Sequence, residues 1–599
     1  MEGPVIPRFT FQWSGTTCPQ CGKMLLVRLT RGRRVVSLAY GEFVAIDRQG
    51  YCPVHSKLPS ARSAELARLV APASNVAYDI IVHIGIARFI ECRQLNEIQA
   101  ELSRCHCIHI PVRTIGHLAQ RFVAYFQVVH EQSVGMLRRD MRKRGGYILH
   151  VDGTCEEGSR VLLVCIDSIS GQVLESRKIT SESHEQVRRV LADVRRDWGV
   201  PLAIVHDLRT SLITAAAEIF IGVSQFVCHY HLAADVGKDI LAPHVDRLRR
   251  MFRNTQVRPR LAALCRTLKP FAVPQDAVDH VVSSILACTA DRQLQEQVTP
   301  EITKGVLHAL ISWILAFSRA GEGYGFPFDL PYLSFYERIE RAHKVLERAS
   351  AVWPPKTRGA LAKLNRCKQI LETVVTGKQG EDFKQVVAEL RSDMRVFERF
   401  RVALRICLKA GRGRRNDDGA PDTLSSRRHK AILTELRRSL SRQAARTTTT
   451  KRACGIVIDH LDKYWPYLFG HVIRRRRVVV PRTNNVEERL FRTIKRQCRR
   501  IHGRGHLSRD VDSMPAGTAL ILNLRNASYC ETVYGGTAHH NIVDRFSEVA
   551  PQLPGKLMTA WRRERHSTSI PRKIEAVPNL PERLARFVAV ASDTLSQHP

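Results

Sequence analysis

The run Tyr147-Ile-Leu-His-Val-Asp-Gly-Thr154 is followed by Arg160-Val-Leu-Leu-Val-Cys-Ile-Asp-Ser-Ile169 and by Gln172-Val-Leu-Glu-Ser-Arg-Lys-Ile179. Each run is short, apolar and rich in β-branched residues. The Glu-Glu-Gly-Ser at 156–159 and the Ser-Gly-Gln at 170–172 between them are turn sequences. The stretch therefore predicts three antiparallel strands joined by two hairpin connections. A helix-period segment follows from Ser183 to Trp198, with His184 and Glu185 in its first turn. Then come the strand Pro-Leu-Ala-Ile-Val-His-Asp at 201–207, the helix Ser211 to Phe220 and the strand Ser-Gln-Phe-Val-Cys-His-Tyr-His at 224–231.

Three antiparallel strands, a helix, a strand, a helix and a strand is the order of a ribonuclease H-like fold. Upstream, the double glycine Gly145-Gly146 closes a basic helical segment and marks a boundary. Downstream, helical periodicity dominates as far as Thr483, as in Leu330 to Arg348 and Phe383 to Lys409, and the basic, Gly-rich run at 410–422 reads as an exposed loop. The expected architecture is multidomain: an N-terminal zinc ribbon (1–60), a helical, helix-turn-helix-like DNA-binding domain (61–145), and an α/β ribonuclease H-like catalytic core in two parts (146–231 and 483–540). A large all-α insertion (232–482) interrupts that core, and a helical tail (541–599) ends with the amphipathic Glu582 to Ser592.

The 599 residues are too many for one core. Lys plus Arg number 93 against 57 Asp plus Glu, a net charge of +36 that suits a polyanionic partner, because each neutralised phosphate releases condensed counterions. Nucleic acid is the first such partner to consider. The longest apolar stretch, Val306 to Phe317, is interrupted by His308 and falls short of the ~20 residues of a membrane span. The N-terminus lacks a charged segment followed by an apolar run, so the sequence reads as a soluble, unprocessed protein. Sixteen dilute cysteines suit a reducing cytosol, some as metal ligands and most as small buried hydrophobes.

Asp152 and Asp207 each end an apolar strand. Two neighbouring strand ends with a carboxylate apiece form a hard oxygen site suited to Mg²⁺ or Mn²⁺. A pair of such ions, ~3.5 to 4 Å apart, activates a water or a 3′ hydroxyl and stabilises the leaving oxygen of an in-line phosphoryl displacement. Taken singly, an aspartate at a strand end is as easily a turn or cap residue. Their places on the first and fourth strands are those of metal ligands in ribonuclease H-like phosphoryltransferases.

A third carboxylate lies in Arg482-Thr-Asn-Asn-Val-Glu-Glu-Arg-Leu-Phe-Arg-Thr-Ile-Lys-Arg-Gln-Cys-Arg-Arg-Ile-His-Gly-Arg504. This motif resembles the last motif of DDE transposases of bacterial insertion sequences: Thr-Asn-Asn, two residues, Glu, Arg, then aromatic or aliphatic residues and a basic tail. The resemblance implies that Glu488 is the third ligand, with Glu487 its rival by one residue. On a helix, Arg492, Lys495 and Arg499 share a face with Glu488, so acid and basic ladder stand together. Asn484, Asn485, Arg489 and Arg496 complete the expected DNA-contacting set. The likeness extends to Cys228 and His231, because mutator-like and hAT-like DDE transposases carry Cys, two residues, His at this place before a helical insertion. These two residues are either half of a zinc site or, preferably, structural.

Cys18-Pro-Gln-Cys21 and Cys52-Pro-Val-His55 are two knuckles with the same spacing, the pattern tetrahedral Zn²⁺ demands. Arg28, Arg31, Arg33 and Arg34 lie between them, in a region with strand-like runs such as Val35 to Val44. Farther on, a helix from Arg93 to Arg104 and a second from Val112 through Phe126 are joined by a short polar connection. They read as a helix-turn-helix offering Arg113, Thr114, His117 and Arg121 to a groove, or as two core-packed helices. Cys105, His106, Cys107 and His109 lack a distant partner pair and are not taken as a metal cluster.

The resemblance implies metal-dependent hydrolysis at transposon ends and transfer of the 3′ hydroxyl into target DNA. It also implies double-stranded DNA as partner, a homodimer or larger assembly, and a bacterial cytoplasmic, nucleoid-associated location. A domesticated DNA-binding protein that no longer cuts, and a ribonuclease H-like nuclease without strand transfer, are the alternatives.

Overall fold

In the computed structural model the chain divides into two units, Met1–Gln225 with Asn484–Pro599, and Phe226–Thr483. The structure describes residues 6–156, 159–268, 276, 278–280, 283, 299–319, 321, 325–352, 358–377, 380–406, 426–469, 472–473, 478–575, 579–580 and 582–586. The first unit opens with β1 (Arg8–Phe11), β2 (Leu26–Ser37) and β3 (Gly41–Tyr51), ordered β1-β3-β2, with β2 antiparallel and β1 parallel to β3. The strand-like run expected over Val35 to Val44 is instead the bend of this hairpin. Both arms are apolar, Ser37 pairs with Gly41, and Gly41 takes a φ of +65° that a side chain would disfavour. Asp79 secures the bend by accepting from the Ser37 hydroxyl (2.7 Å) and the Leu38 N–H (2.9 Å).

Four helices follow: α1 (Ala64–Leu69), α2 (Tyr78–Phe89), α3 (Leu95–His106) and α4 (Val112–Lys143). A capping box starts α3, with the Glu97 carboxylate accepting from the Gln94 N–H at 2.7 Å. Helix α4 runs far past the expected end at Phe126, because its buried stripe continues through Val129, Ser133, Leu137 and Met141 at four-residue spacing. Where α2 crosses α4, a Cβ on Gly85 would lie 2.0 Å from the Phe122 ring, so glycine permits the close approach.

The central sheet comprises β4 (Ile148–Thr154), β5 (Val161–Asp167), β6 (Gln172–Ile179), β7 (Ala203–His206) and β8 (Gln225–Val227), ordered β6-β5-β4-β7-β8. β4, β5 and β6 are antiparallel neighbours, whereas β7 runs parallel to β4. Helix α5 (His184–Trp198) links β6 to β7, and α6 (Thr210–Ile219) follows β7. This is the element order expected from the sequence, in a mixed sheet consistent with ribonuclease H-like nucleases.

The second unit is helical among its described residues: α7 (His229–Thr255), α8 (Val257–Thr267), α9 (Pro300–Leu315), α10 (Pro331–Val352), α11 (Arg358–Val375), α12 (Gly380–Ala403), α13 (Ser426–Arg446) and α14 (Lys451–Tyr464), with the two-residue strands β9 (Val472–Ile473) and β10 (Val478–Val479). Phe252 packs on Phe335 and Phe383 at its centre, with ring centroids 4.6 and 4.9 Å apart. Helix α12 ends at Ala403 rather than Lys409, and Arg405 adopts a left-handed φ of +60° just beyond it. The basic run at 410–422 lies outside the described residues, as does most of the stretch from Glu582 to Ser592.

The chain returns to the first unit with α15 (Asn485–His502), α16 (Ser508–Ser513), α17 (Ala527–Tyr534), α18 (His539–Ser547) and α19 (Gln552–Glu575). One continuous apolar core joins α2, α4, the sheet, α5, α15, α17 and α18. Phe122 meets Phe546, and Phe126 stacks on Tyr529, so the chain's last helices complete the packing of its early ones. His130 of α4 sits wholly inside, bridging the Tyr529 hydroxyl (2.9 Å) and the Leu174 carbonyl (3.1 Å). No helix among the described residues is long and apolar enough to cross a membrane.

Candidate metal centres

The first centre is built locally. Sγ of Cys18, Cys21 and Cys52 and a ring nitrogen of His55 lie within 4.8 Å of one another. The separations are 3.6 Å for Cys21–Cys52 and 3.8 Å for both Cys18–His55 and Cys52–His55. Ligands at ordinary zinc bond lengths stand about 3.6–3.8 Å apart along the edges of a tetrahedron. The donor set and its spacing therefore fit Zn²⁺. Backbone geometry preorganises the knuckles: the Gly22 N–H donates to the Cys18 carbonyl (2.9 Å), and the His55 N–H donates to Cys52 Sγ (3.4 Å). N–H groups of Gln20 and Cys21 lower the pKa of the Cys18 thiol, favouring the thiolate that binds metal.

The second centre is built by the tertiary fold. Asp152 lies near the end of β4, and Glu488 lies in the first turn of α15. Their carboxylates come within 4.8 Å. Oxygens sharing one octahedral ion stand about 3–4 Å apart, so a small side-chain rotation would let both hold Mg²⁺ or Mn²⁺. The phase of α15 explains the register. Its buried stripe is Glu487, Phe491, Ile494 and Cys498, and Glu487 is wholly inaccessible, whereas Glu488 stands at the edge of that stripe.

Asp207 is the residue after the last β4–β7 pair, Val151 with His206, and so stands beside Asp152. Its carboxylate accepts from the Leu208 N–H at 2.6 Å and faces Arg209 Nε at 3.6 Å, outside the mutually close pair. Arg209 also pairs with Glu182, an acid the sequence reading did not single out. The Glu182 carboxylate lies against Gly153, where a Cβ would come within 2.1 Å of it. The Glu182 carboxylate thus fills the space beside the Gly153 backbone, next to Asp152. No sequence signal marks Glu182 beyond its position just before α5.

No protein-family model and no curated protein matches the chain.

Arg489, Arg492, Arg496 and Arg499 are exposed along α15, while Lys495 is half-buried and pairs with Glu156 at 3.0 Å. Asn484 is buried, and Asn485 begins the helix half-buried. Arg113 is exposed at the start of α4. Arg121 turns inward instead, donating to Ser74 Oγ (3.4 Å) and lying 6.0 Å from the centre of the Tyr125 ring. In the N-terminal hairpin Arg28, Arg31 and Arg34 are exposed, whereas Arg33 donates to the carbonyls of Ala71 and Ser74. In the second unit Cys228 is buried at the start of α7, and His231 lies in that helix's first turn. The adjacent His229 N–H donates to the Arg482 carbonyl at 2.9 Å. Cys105 and Cys107 are exposed and belong to no three-ligand cluster among the described residues.

Two buried imidazoles give the first unit a pH dependence. Burial pushes the His130 pKa down and lowers that of His150, whose Nδ1 donates to Asn484 Oδ1, to about 4. The unfolded rings protonate near pH 6.5, so between about pH 6.5 and 4 the unfolded chain binds more protons than the folded one. Stability is full above that window and falls as pH drops through it, by about 3 kcal/mol for His150 alone. Urea midpoints at pH 7.5 and 4.5 test this; equal midpoints would contradict it.

Proposed function

We propose that the chain is a DDE-type DNA transposase whose metal centre is held by Asp152, Asp207 and Glu488. The observation that carries the reading is the approach of the Asp152 and Glu488 carboxylates to within 4.8 Å, from a strand and from a helix that the whole second unit separates in sequence. A merely solvated acid at the head of a basic helix has no reason to meet a strand-end aspartate. The Thr-Asn-Asn motif just ahead of Glu488 adds the family likeness.

Two divalent ions at this place would supply Lewis acidity for an in-line phosphoryl displacement. The chain's own residues do the rest. Asp152, Asp207 and Glu488 bring negative charge to a site at the N-terminal end of α15, where the helix dipole tolerates it. Arg489, Arg492, Arg496 and Arg499 line the exposed side of that helix and hold the DNA backbone. The Cys₃His centre makes the N-terminal sheet a zinc ribbon, whose exposed arginines, with Arg113, engage transposon ends. Double-stranded DNA is the partner, and two ends must be bridged by a homodimer or larger assembly.

Replacing Arg492, Arg496 and Arg499 together by alanine is expected to lower the salt dependence of DNA binding by about three counterions in the log–log slope. Titration between 50 and 200 mM NaCl reads it; an unchanged slope would remove these residues from the interface.

Activity is tested with a marked element flanked by the DNA that borders the coding gene. Excision and reinsertion are expected with the wild-type chain and absent with Asp152→Ala. Metal-dependent cleavage without joined product would favour a ribonuclease H-like nuclease instead. Sequence-specific binding with no cleavage would favour a DNA-binding protein that does not cut.

A further inference from the structure

His150 lies two residues before Asp152 on β4, and Asn484 lies four residues before Glu488. Two residues along a strand advance about 6.7 Å, and four along a helix about 6 Å. A helix laid beside the strand can therefore pair both couples at once, and both pairings are present. Asn484 Oδ1 accepts from His150 Nδ1 at 3.2 Å, and the Asp152 and Glu488 carboxylates meet within 4.8 Å. Both His150 and Asn484 are buried to 1% exposure or less.

A second feature points the same way. Asparagine at a helix start ordinarily turns its side chain onto the first-turn N–H groups. Asn484 makes no such capping bond, its amide oxygen facing His150, while its backbone carbonyl accepts the Glu488 N–H at 3.0 Å. Two hydrogen bonds thus connect β4 to the backbone of Glu488 through one residue.

We propose that His150 and Asn484 are positioning residues for the metal centre. Their hydrogen bond sets the register of α15 on β4 and thereby the separation of the Asp152 and Glu488 carboxylates. The Nδ1–H tautomer of His150 is the donor, and neither residue touches the reacting phosphate. The proposal rests on the reading of that centre as catalytic.

The test uses the full-length chain, Mg²⁺-dependent DNA cleavage and hydrogen exchange of residues 485–491. Asn484→Leu, which removes the acceptor at similar volume, is expected to lower kcat about 10–100-fold with KM for DNA within two-fold. Asn484→Asp, which keeps the oxygen, is expected to retain kcat within about five-fold. His150→Leu is expected to match Asn484→Leu, and the double variant to be no worse than either, because one bond is lost in all three. Should Asn484→Leu fail to fold, Asn484→Ser takes its place with the same expectation, since serine is small and polar but falls short of His150.

Wild-type kcat in Asn484→Leu or Asn484→Ser would overturn the proposal, as would additive losses in the double variant. If the wild-type chain itself shows no metal-dependent cleavage, the catalytic reading fails separately. Hydrogen exchange then decides the tie: faster exchange at 485–491 in Asn484→Ser supports it, and unchanged exchange overturns it.

Discussion

Glu488→Ala is expected to lower metal-dependent DNA cleavage by roughly 10³-fold or more, with little change in melting temperature, because it removes a carboxylate of the proposed metal centre from the edge of α15 without opening the core. Glu487→Ala should do the reverse. Glu487 lies fully inside the stripe it shares with Phe491, Ile494 and Cys498, so truncation leaves a cavity and disturbs buried neighbours, at a cost of about 2 kcal/mol. Its cleavage rate at a temperature where it remains folded should stay near that of the wild type. Paired measurement of rate and melting temperature on both variants decides the register. Full activity in Glu488→Ala would end its assignment as a ligand.

Removing zinc is expected to unfold the N-terminal sheet while sparing the central one. The small core there consists of Phe11, Val35, Phe43, Ala45, Leu66, Val70 and Ala77, and the knuckles at Cys18–Cys21 and Cys52–His55 lie at the far end of the hairpin from it. A core of that size adds little stability alone, whereas structural zinc contributes on the order of 10 kcal/mol of binding free energy coupled to folding. Metal analysis should find one zinc per wild-type chain and none in Cys18→Ser with Cys52→Ser. Limited proteolysis of that variant should cut within 12–62 and leave α4 and the sheet around β4 intact. A variant without zinc that resists proteolysis there would contradict a structural role.

Much of the central sheet was legible from residue order. The strands at 148–154, 161–167 and 172–179 and the helix at 184–198 appear where hydrophobic period and turn residues place them. Those signals arise between residues a few positions apart, so they survive without any knowledge of the fold. The Cys18–Cys21 and Cys52–His55 knuckles are legible for the same reason, since a two-residue spacer lets both side chains face one ion. Asp152 and Asp207 follow from ending two strands that prove to be neighbours.

What escaped was set by partners distant in the chain. Helix α4 doubles in length because its buried stripe continues through Val129, Ser133, Leu137 and Met141, with His130 bonded to Tyr529, and Arg121 turns from a candidate groove contact into an inward tie to Ser74. The run from Val35 to Val44 folds back because Asp79 holds its bend. Glu182 is brought beside Gly153 and Arg209 only by the fold. Residue types and local spacing thus specify the strands, the Cys₃His cluster and the strand-end places of Asp152 and Asp207. That Glu488 approaches Asp152 while Glu487 faces the core belongs to the tertiary structure, because a helix has no inside until another element, here the sheet carrying His150 and Asp152, covers one of its faces.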